Sequence, residues 1–314
     1  MLGLVTRGTF SMLASSSLLA RAASRYGMRH GNSLARRFVA GEVYDDAIAA
    51  SRVLERQGLA VTLDLLGERV ASTDAALAAA RAYVDLVNAV TSAGISRSVS
   101  VKLTQIGLDI DIATTIDNLR RILEAGQEPG FFVRVDMEGS AHTDATLDAV
   151  STLWGIGYRN VGVAVQASLR RSAADISRLN EMGMSVRLVK GAYHEPRRIA
   201  FARKDEVNEQ FGLLMEQLLT HGHQPAIATH DPILIERTRA FAHSRGIGPE
   251  AYEFEFLYGI RRDLQLALSR GGQRVRIYVP YGREWFPYFM RRLGERPANI
   301  AFLLKSLLSE ERTA

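Results

Sequence analysis

Phe131-Phe-Val-Arg-Val-Asp-Met-Glu-Gly139 alternates along its length. Successive side chains of a strand point to opposite faces, so Val133, Val135 and Met137 share one face and Arg134, Asp136 and Glu138 the other. The same parity sets Lys102 against Val101 and Leu103, Gln166 against Val163 and Val165, and Arg187 against Val186 and Leu188. It also sets Glu253 and Glu255 against Phe254 and Phe256, and Arg276 against Val275 and Ile277.

Working outward, short apolar or alternating runs recur at Leu59–Gly67, Val99–Gly107, Phe131–Gly139 and Val161–Ala167. They continue at Ser185–Tyr193, Pro225–Asp231, Tyr252–Gly259 and Val275–Gly282. Each is rich in β-branched or aromatic residues, and most end at a glycine or a turn former. Between them lie segments with apolar residues at helical spacing, such as the alanine-rich Thr73–Ala93. Eight strand–helix units in about 250 residues match a (β/α)8 barrel. A doubly wound open sheet is the rival, but no Gly-x-Gly-x-x-Gly follows the first strand, and the count favours closure. The chain therefore reads as an α/β protein, a distorted (β/α)8 barrel over 57–314 preceded by an N-terminal helical arm over 1–56.

In a barrel the apolar face meets the surrounding helices and the polar face points inward. Barrel interiors are usually branched aliphatic, so a charged interior is a departure. The inward set holds five acids (Asp64, Asp136, Glu138, Glu253, Glu255) and five bases (Lys102, Arg134, Arg187, Arg274, Arg276). That balance predicts ion pairs deep in the barrel. Lys102, Asp136, Gln166, Arg187 and Tyr278 sit late in their strands, at the end where such barrels build active sites, and for these a functional role is expected.

After the last strand, Tyr288, Arg291, Arg292 and Glu295 fall at helical spacing on one face, with Trp285, Phe289, Met290 and Leu293 on the core side. Adjacent arginines beside a tyrosine form a fork able to grip a carboxylate. An Arg-Arg pair alone more often marks a solvated face, but this one follows Tyr278-Val-Pro-Tyr-Gly282 at the barrel mouth.

Composition excludes several classes. The 47% hydrophobic and 23% charged fractions describe an ordinary globular protein, and the absence of cysteine rules out disulfides, thiolate metal sites and a cysteine nucleophile. No His-Glu-x-x-His, Gly-x-Ser-x-Gly or phosphate-loop motif appears, so no metal site is expected. No apolar run approaches the roughly 20 residues of a membrane span. The net charge is +5, and only Lys102, Lys190, Lys204 and Lys305 among 39 basic residues are lysines. Residues 1–41 carry six arginines and no acid, which fits an amphipathic arm or a transit peptide; the arm is favoured, and a secretory signal fits poorly. The arginines are spread along the chain and many alternate inward, so a nucleic-acid stripe is not expected. A polar mouth with cations and tyrosines suits an organic cofactor and a small anionic substrate.

The ordered motifs resemble those of the monofunctional bacterial proline dehydrogenases. They are Asp64-Leu-Leu-Gly-Glu68, Ser100-Val-Lys-Leu-Thr104, Val135-Asp-Met-Glu138, Gln166-Ala-Ser-Leu169 and Arg187-Leu-Val-Lys-Gly-Ala-Tyr193. Ala228-Thr-His-Asp231, Glu255-Phe-Leu-Tyr-Gly259, Tyr278-Val-Pro-Tyr-Gly282 and Tyr288-Phe-Met-Arg-Arg-Leu-Gly-Glu295 complete the series over roughly residues 36–305. The resemblance implies noncovalent FAD, oxidation of L-proline to Δ1-pyrroline-5-carboxylate and electron transfer to a membrane quinone. It implies that Arg291, Arg292 and Lys102 bind the proline carboxylate, that Tyr278, Tyr288 and Leu257 wall the ring, and that Asp136 supports that end of the site. It assigns the flavin to Asp136, Gln166, Arg187, Lys190, Gly191, Ala192, Thr229, His230 and Glu295, with Arg187 near flavin N5 and Glu295 on the adenosine ribose. Ser168 and Asp231 stand where the family often has tyrosine and asparagine. The resemblance further implies a separate pyrroline-5-carboxylate dehydrogenase as partner. It places the protein in a bacterial cytoplasm, with the basic arm docking at the inner face of the membrane; a mitochondrial location ranks behind this. Another flavin barrel oxidoreductase, such as a folate reductase, is the alternative, although the arginine fork suits a small amino acid better.

Overall fold

The computed structural model describes residues 28, 34–67, 69–127 and 130–294. Eight parallel strands pair in chain order and close into a barrel. They are β1 (Ala60–Leu65), β2 (Ser98–Val101), β3 (Phe132–Val135), β4 (Val161–Gln166), β5 (Val186–Val189), β6 (Ala226–Ala228), β7 (Glu253–Leu257) and β8 (Val275–Tyr281). Closure is made by β1 against β8, with Leu63 opposite Val279.

Helix α1 (Tyr44–Glu55) precedes the barrel. One helix follows each strand: α2 (Thr73–Ala93), α3 (Ile112–Gln127), α4 (Thr143–Gly155), α5 (Ser172–Glu181), α6 (Lys204–His221), α7 (Pro232–Ser244), α8 (Arg262–Arg270) and α9 (Trp285–Gly294). Local chemistry sets their ends. The Ser72 hydroxyl accepts a hydrogen bond from the Ala75 N–H at the start of α2, and Asp231 caps Ile233 N–H ahead of Pro232 at the start of α7.

The alternation partitions as expected. Val61, Leu63, Val99, Val101, Val133 and Val135 are buried in the main apolar core beneath the helices. The opposite faces line the interior, where Arg187 of β5 reaches across to the Ser100 hydroxyl of β2 at 3.1 Å. Small inward residues make room for the long charged ones. A Cβ on Gly162 would lie 2.6 Å from Arg134 Nη1 and 2.5 Å from the Ser185 carbonyl, so the Arg134 guanidinium takes the space a side chain there would fill. Interior ion pairs form as the charge balance predicts: Arg276 with Glu253 at 2.8 Å and Arg187 with Glu255 at 2.5 Å.

Three details differ from the sequence reading. β2 and β3 stop at Val101 and Val135, so Lys102 and Asp136 stand one residue beyond their strands; the chain turns there into a 3-10 segment at Leu103–Ile106. Arg274 precedes β8 and is exposed on the N-terminal rim rather than inside. Glu138 lies past the end of β3 and binds the Thr104 N–H and hydroxyl, at 3.1 and 2.7 Å. Strand parity predicts direction only while the backbone stays extended.

Of the expected arm, residues 1–27 and 29–33 lie outside the described residues. The part described packs Phe38 and Val39 with Trp285, Phe289 and Leu293 of α9 in a second apolar cluster. Among the described residues no helix is long and apolar enough to cross a membrane.

Candidate active site

At the C-terminal ends of β1, β2, β3 and β8 a cation, two carboxylates and a phenol converge. Lys102 donates to Asp64 at 2.7 Å and to the Tyr278 oxygen at 3.2 Å, and its ammonium lies 3.4 Å from Asp136. The Tyr278 hydroxyl donates to Asp136 Oδ2 at 2.7 Å, while Arg187 donates to Asp136 Oδ1 at 2.8 Å. Both Asp136 oxygens are thereby engaged. Burial, reinforced by the Asp136 charge, holds the Tyr278 phenol well above its ordinary value of 10, so at neutral pH it remains a donor. Asp64 is fully buried, and its carboxyl is raised by burial against the opposing pull of Lys102. Arg187 is also buried; the carboxylates of Glu255 and Asp136 outweigh the burial penalty and keep it charged.

This cluster opens on a cavity of about 630 Å³. Lys102 lines it from the end of β2 and Arg291 from α9, together with Leu65, Gly67 and Gln105. Two cations from opposite ends of the chain thus face one space. Leu257 ends β7 beside Tyr278 in the sheet register, which sets an aliphatic and an aromatic side chain next to each other.

A second group lies at the ends of β4, β5 and β6. Lys190 donates to Asn208 on α6 at 2.7 Å and to Asp231 at 2.9 Å, tying the loop after β5 to the start of α7. Asp231 uses its other oxygen to cap α7, and the Lys190 contact helps hold its carboxyl below the ordinary value of 3.8 despite partial burial. His230 Nε2 accepts from the Leu257 N–H at 3.0 Å, which makes Nδ1 the protonated nitrogen of the neutral ring. Gln166 donates its amide to the Glu138 carbonyl at 2.8 Å, leaving its own carbonyl as the acceptor end. Thr229 is buried beside His230, and its hydroxyl accepts the Asp231 N–H at 3.2 Å. Gly191 has φ +108°, and a Cβ there would come 2.2 Å from the Ser168 hydroxyl. Gly191 and Ala192 are exposed in the loop that follows β5.

With this geometry in view, comparison with known proteins is decisive: the family model for proline dehydrogenase matches residues 47–305. The chain belongs to the proline dehydrogenase family. It is 42% identical to the proline dehydrogenase of Deinococcus radiodurans, over 88% of this chain and 90% of that one. It is 36% identical to proline dehydrogenase 2 of Bacillus subtilis strain 168, over 97% and 99% of the two chains. The crystal structure of proline utilization A from Bdellovibrio bacteriovorus, inactivated by N-propargylglycine, superposes with a TM-score of 0.78 at 27% identity. That match covers 83% of this chain and 32% of the longer one.

Within this proline dehydrogenase fold the two neighbouring arginines have different surroundings. Arg291 is exposed and faces the cavity, whereas the Arg292 guanidinium lies over the Tyr288 ring at 5.1 Å. Tyr288 itself is buried in the apolar cluster with Trp285 and Phe289, so it belongs to the packed side of α9 rather than to an open face shared with both arginines. A helix turns by 100° per residue, so adjacent arginines can meet different surroundings. Glu295 lies outside the described residues. Sequence reading also missed two partners. Strand parity places Asp64 among the inward acids, but its partner Lys102 follows only from the register of β1 against β2. Asn208 on α6 carried no local signal, because its contact is made only by the packing of α6 beside β5.

Proposed function

We propose that this chain oxidises L-proline to Δ1-pyrroline-5-carboxylate with noncovalently bound FAD, passing electrons to a membrane quinone. The observation that carries the reading is the joint facing of Lys102 and Arg291 into one cavity beside Tyr278 and Asp136. Two cations offer charge-assisted hydrogen bonds to one substrate carboxylate, the strongest kind available to a small anion. Asp136 and Asp64 hold the Lys102 ammonium from the barrel side, so it points its charge at the mouth without a large loss of side-chain freedom on binding. Tyr278 and Leu257 present an aromatic and an aliphatic wall to the pyrrolidine ring and exclude water from it. Arg292, stacked over Tyr288, is the second arginine proposed for the carboxylate, and Tyr288 the further aromatic proposed beside the ring.

The polar set at the ends of β4 to β6 suits a flavin dinucleotide: the Lys190 ammonium, the His230 Nδ1–H and the Thr229 hydroxyl as donors, the Gln166 side-chain carbonyl as acceptor, and the exposed Gly191–Ala192 backbone. Arg187, Asp136 and Glu295 complete the proposed set. When bound, the flavin supplies the two-electron acceptor for a hydride. The chain's own contribution is to fix the ring, neutralise its carboxylate and keep a cation, Arg187, buried beside Asp136. The amine proton leaves to solvent; among the described residues no side chain is assigned as a dedicated base.

The same proposal includes the division into a helical arm over 1–56 and a flavin-binding barrel over 57–314. It also includes a separate pyrroline-5-carboxylate dehydrogenase that takes up the product, and docking of the basic arm on an anionic membrane surface in a bacterial cytoplasm. An anaerobic visible spectrum before and after addition of L-proline tests the central step. Bleaching of a flavin band by L-proline, and not by D-proline or methylene-tetrahydrofolate, is the expected result. A flavin that stays oxidised overturns the substrate assignment.

A further inference from the structure

The opposite end of the barrel holds a second cavity of about 600 Å³, lined by residues at or just before the starts of β2, β3, β4, β7 and β8. Among the described residues its walls carry Arg97, Arg134, Arg159, Arg187, Arg274 and Arg276 with two carboxylates, Glu253 and Glu255. Both acids are already engaged. Glu253 pairs with Arg276 at 2.8 Å and with Arg274 at 3.6 Å, and Glu255 pairs with Arg187 at 2.5 Å.

Arg134 makes no ion pair among the described residues. It is 3% exposed, yet its hydrogen bonds go to neutral acceptors, the Ser185 carbonyl at 2.6 Å and the Ser185 hydroxyl at 3.0 Å. Its Nε–H has no hydrogen-bond partner among the described residues. No carboxylate of those residues lies within ion-pair distance of it; Glu253 and Glu255 act on it only from further away. Burial and the neighbouring Arg187 charge pull its pKa down to about 10. A buried cation compensated only by dipoles is costly, and an anion brought next to it relieves that cost. The cavity also offers flat, apolar surfaces. Arg134 lies over the Phe132 ring at 4.8 Å and Arg159 over the Trp154 ring at 4.5 Å, which holds both guanidinium planes in fixed orientations.

We propose that this cavity at the N-terminal end of the barrel binds a small multivalent oxyanion, with Arg134 at its floor and Arg97 and Arg159 at its rim. Planar guanidiniums on several walls suit an ion bearing two or more phosphoryl or carboxylate groups, because each can be met by a forked pair of N–H donors. The site lies at the opposite end of the strands from Lys102 and Tyr278, and Arg187, which lines it and donates to Asp136, spans the wall between the two.

The test is calorimetric titration of the flavin-loaded full chain with sodium pyrophosphate and, separately, sodium citrate, at ionic strength held constant with sodium chloride. Saturable binding at one site per chain is expected for at least one of them, with sodium acetate producing none. The Arg97→Gln/Arg159→Gln double variant, altered only at exposed positions, is expected to bind at least ten-fold more weakly, and Arg134→Met to lose binding. Tighter binding of pyrophosphate assigns the site to phosphoryl compounds and tighter binding of citrate to polycarboxylates. Absence of saturation with both, equal heats from acetate, or unchanged affinity in the double variant overturns the proposal, and the double variant decides it should Arg134→Met fail to fold.

Discussion

The fully buried Asp64 carboxylate accepts a hydrogen bond from Lys102 at 2.7 Å, so the cation at the mouth of the barrel is anchored by an acid that never meets solvent. The pair couples the interior of the sheet to the site above it. Lys102 has a second carboxylate, Asp136, at 3.4 Å. Losing Asp64 therefore loosens the ammonium without stranding it.

Asp64→Asn tests that anchoring. Breaking a buried ion pair costs about 3–5 kcal/mol when the remaining charge is left alone. Because Asp136 stays in place, the expected loss is nearer ~2 kcal/mol on the same scale. Urea denaturation reads the stability, and steady-state kinetics should show a raised KM for proline. A KM unchanged from the parent would detach Asp64 from substrate positioning.

Arg291 and Arg292 are expected to differ. Arg291 faces the cavity, and deleting its hydrogen bonds to a carboxylate should cost about 1.5–3 kcal/mol, roughly a ten- to hundred-fold rise in KM for Arg291→Met. Arg292→Met should raise KM less, by releasing Tyr288 from its stacked position. Flavin absorbance should be retained in both. Unchanged proline kinetics in both variants would remove the carboxylate assignment from α9.

Gly191→Ala meets two obstacles, a backbone at φ +108° and the Ser168 hydroxyl 2.2 Å from the new Cβ. The strained conformation alone costs of order 1–3 kcal/mol. The variant should emerge from gel filtration with less flavin per chain. Adding Ser168→Gly removes the contact but not the strain, so flavin content should recover only in part; full recovery would assign the whole effect to the clash.

Acid stability should report the Glu253–Arg276 pair. Burial alone would raise the Glu253 carboxyl, but Arg276, with Arg134 and Arg274, outweighs it and holds the carboxyl below its ordinary value of 4.5. A depressed carboxyl stabilises the fold above the unfolded value of 4.5, and that contribution disappears as pH falls through the folded value. The stability gap between the parent and Glu253→Gln, measured by denaturant titration, should therefore be constant near neutrality and shrink below pH 4.5. A gap that is flat across that range would mean that the pair is not coupled to folding.

Much of this was legible beforehand. The alternation in Phe131–Gly139 and its counterparts identified the strands, their inward faces and the charged interior, because the pleat is a local property of the chain. That Lys102, Asp136 and Tyr278 share the inward face at one end of the barrel was legible for the same reason. Less legible were the places where extended backbone ends. Glu138 leaves the interior for Thr104 because β3 has already stopped at Val135, and Tyr288 turns into the apolar cluster because α9 packs on Phe38 and Val39. Neither outcome is encoded in spacing.

Periodicity within a few residues is enough to give the barrel, its eight strands and most of the charges in its interior, Arg274 and Glu138 being the exceptions. Only the tertiary structure decided which of those charges pair. Lys102 meets Asp64 across 38 residues of chain and Tyr278 across 176, and Tyr278 meets Asp136 across 142. Lys102 could equally have been held by Asp136 alone, and Arg134 could have taken an acid instead of Ser185. Those choices depend on strand register, depth along the barrel and the room left by residues such as Gly162, which exist only once the sheet has closed.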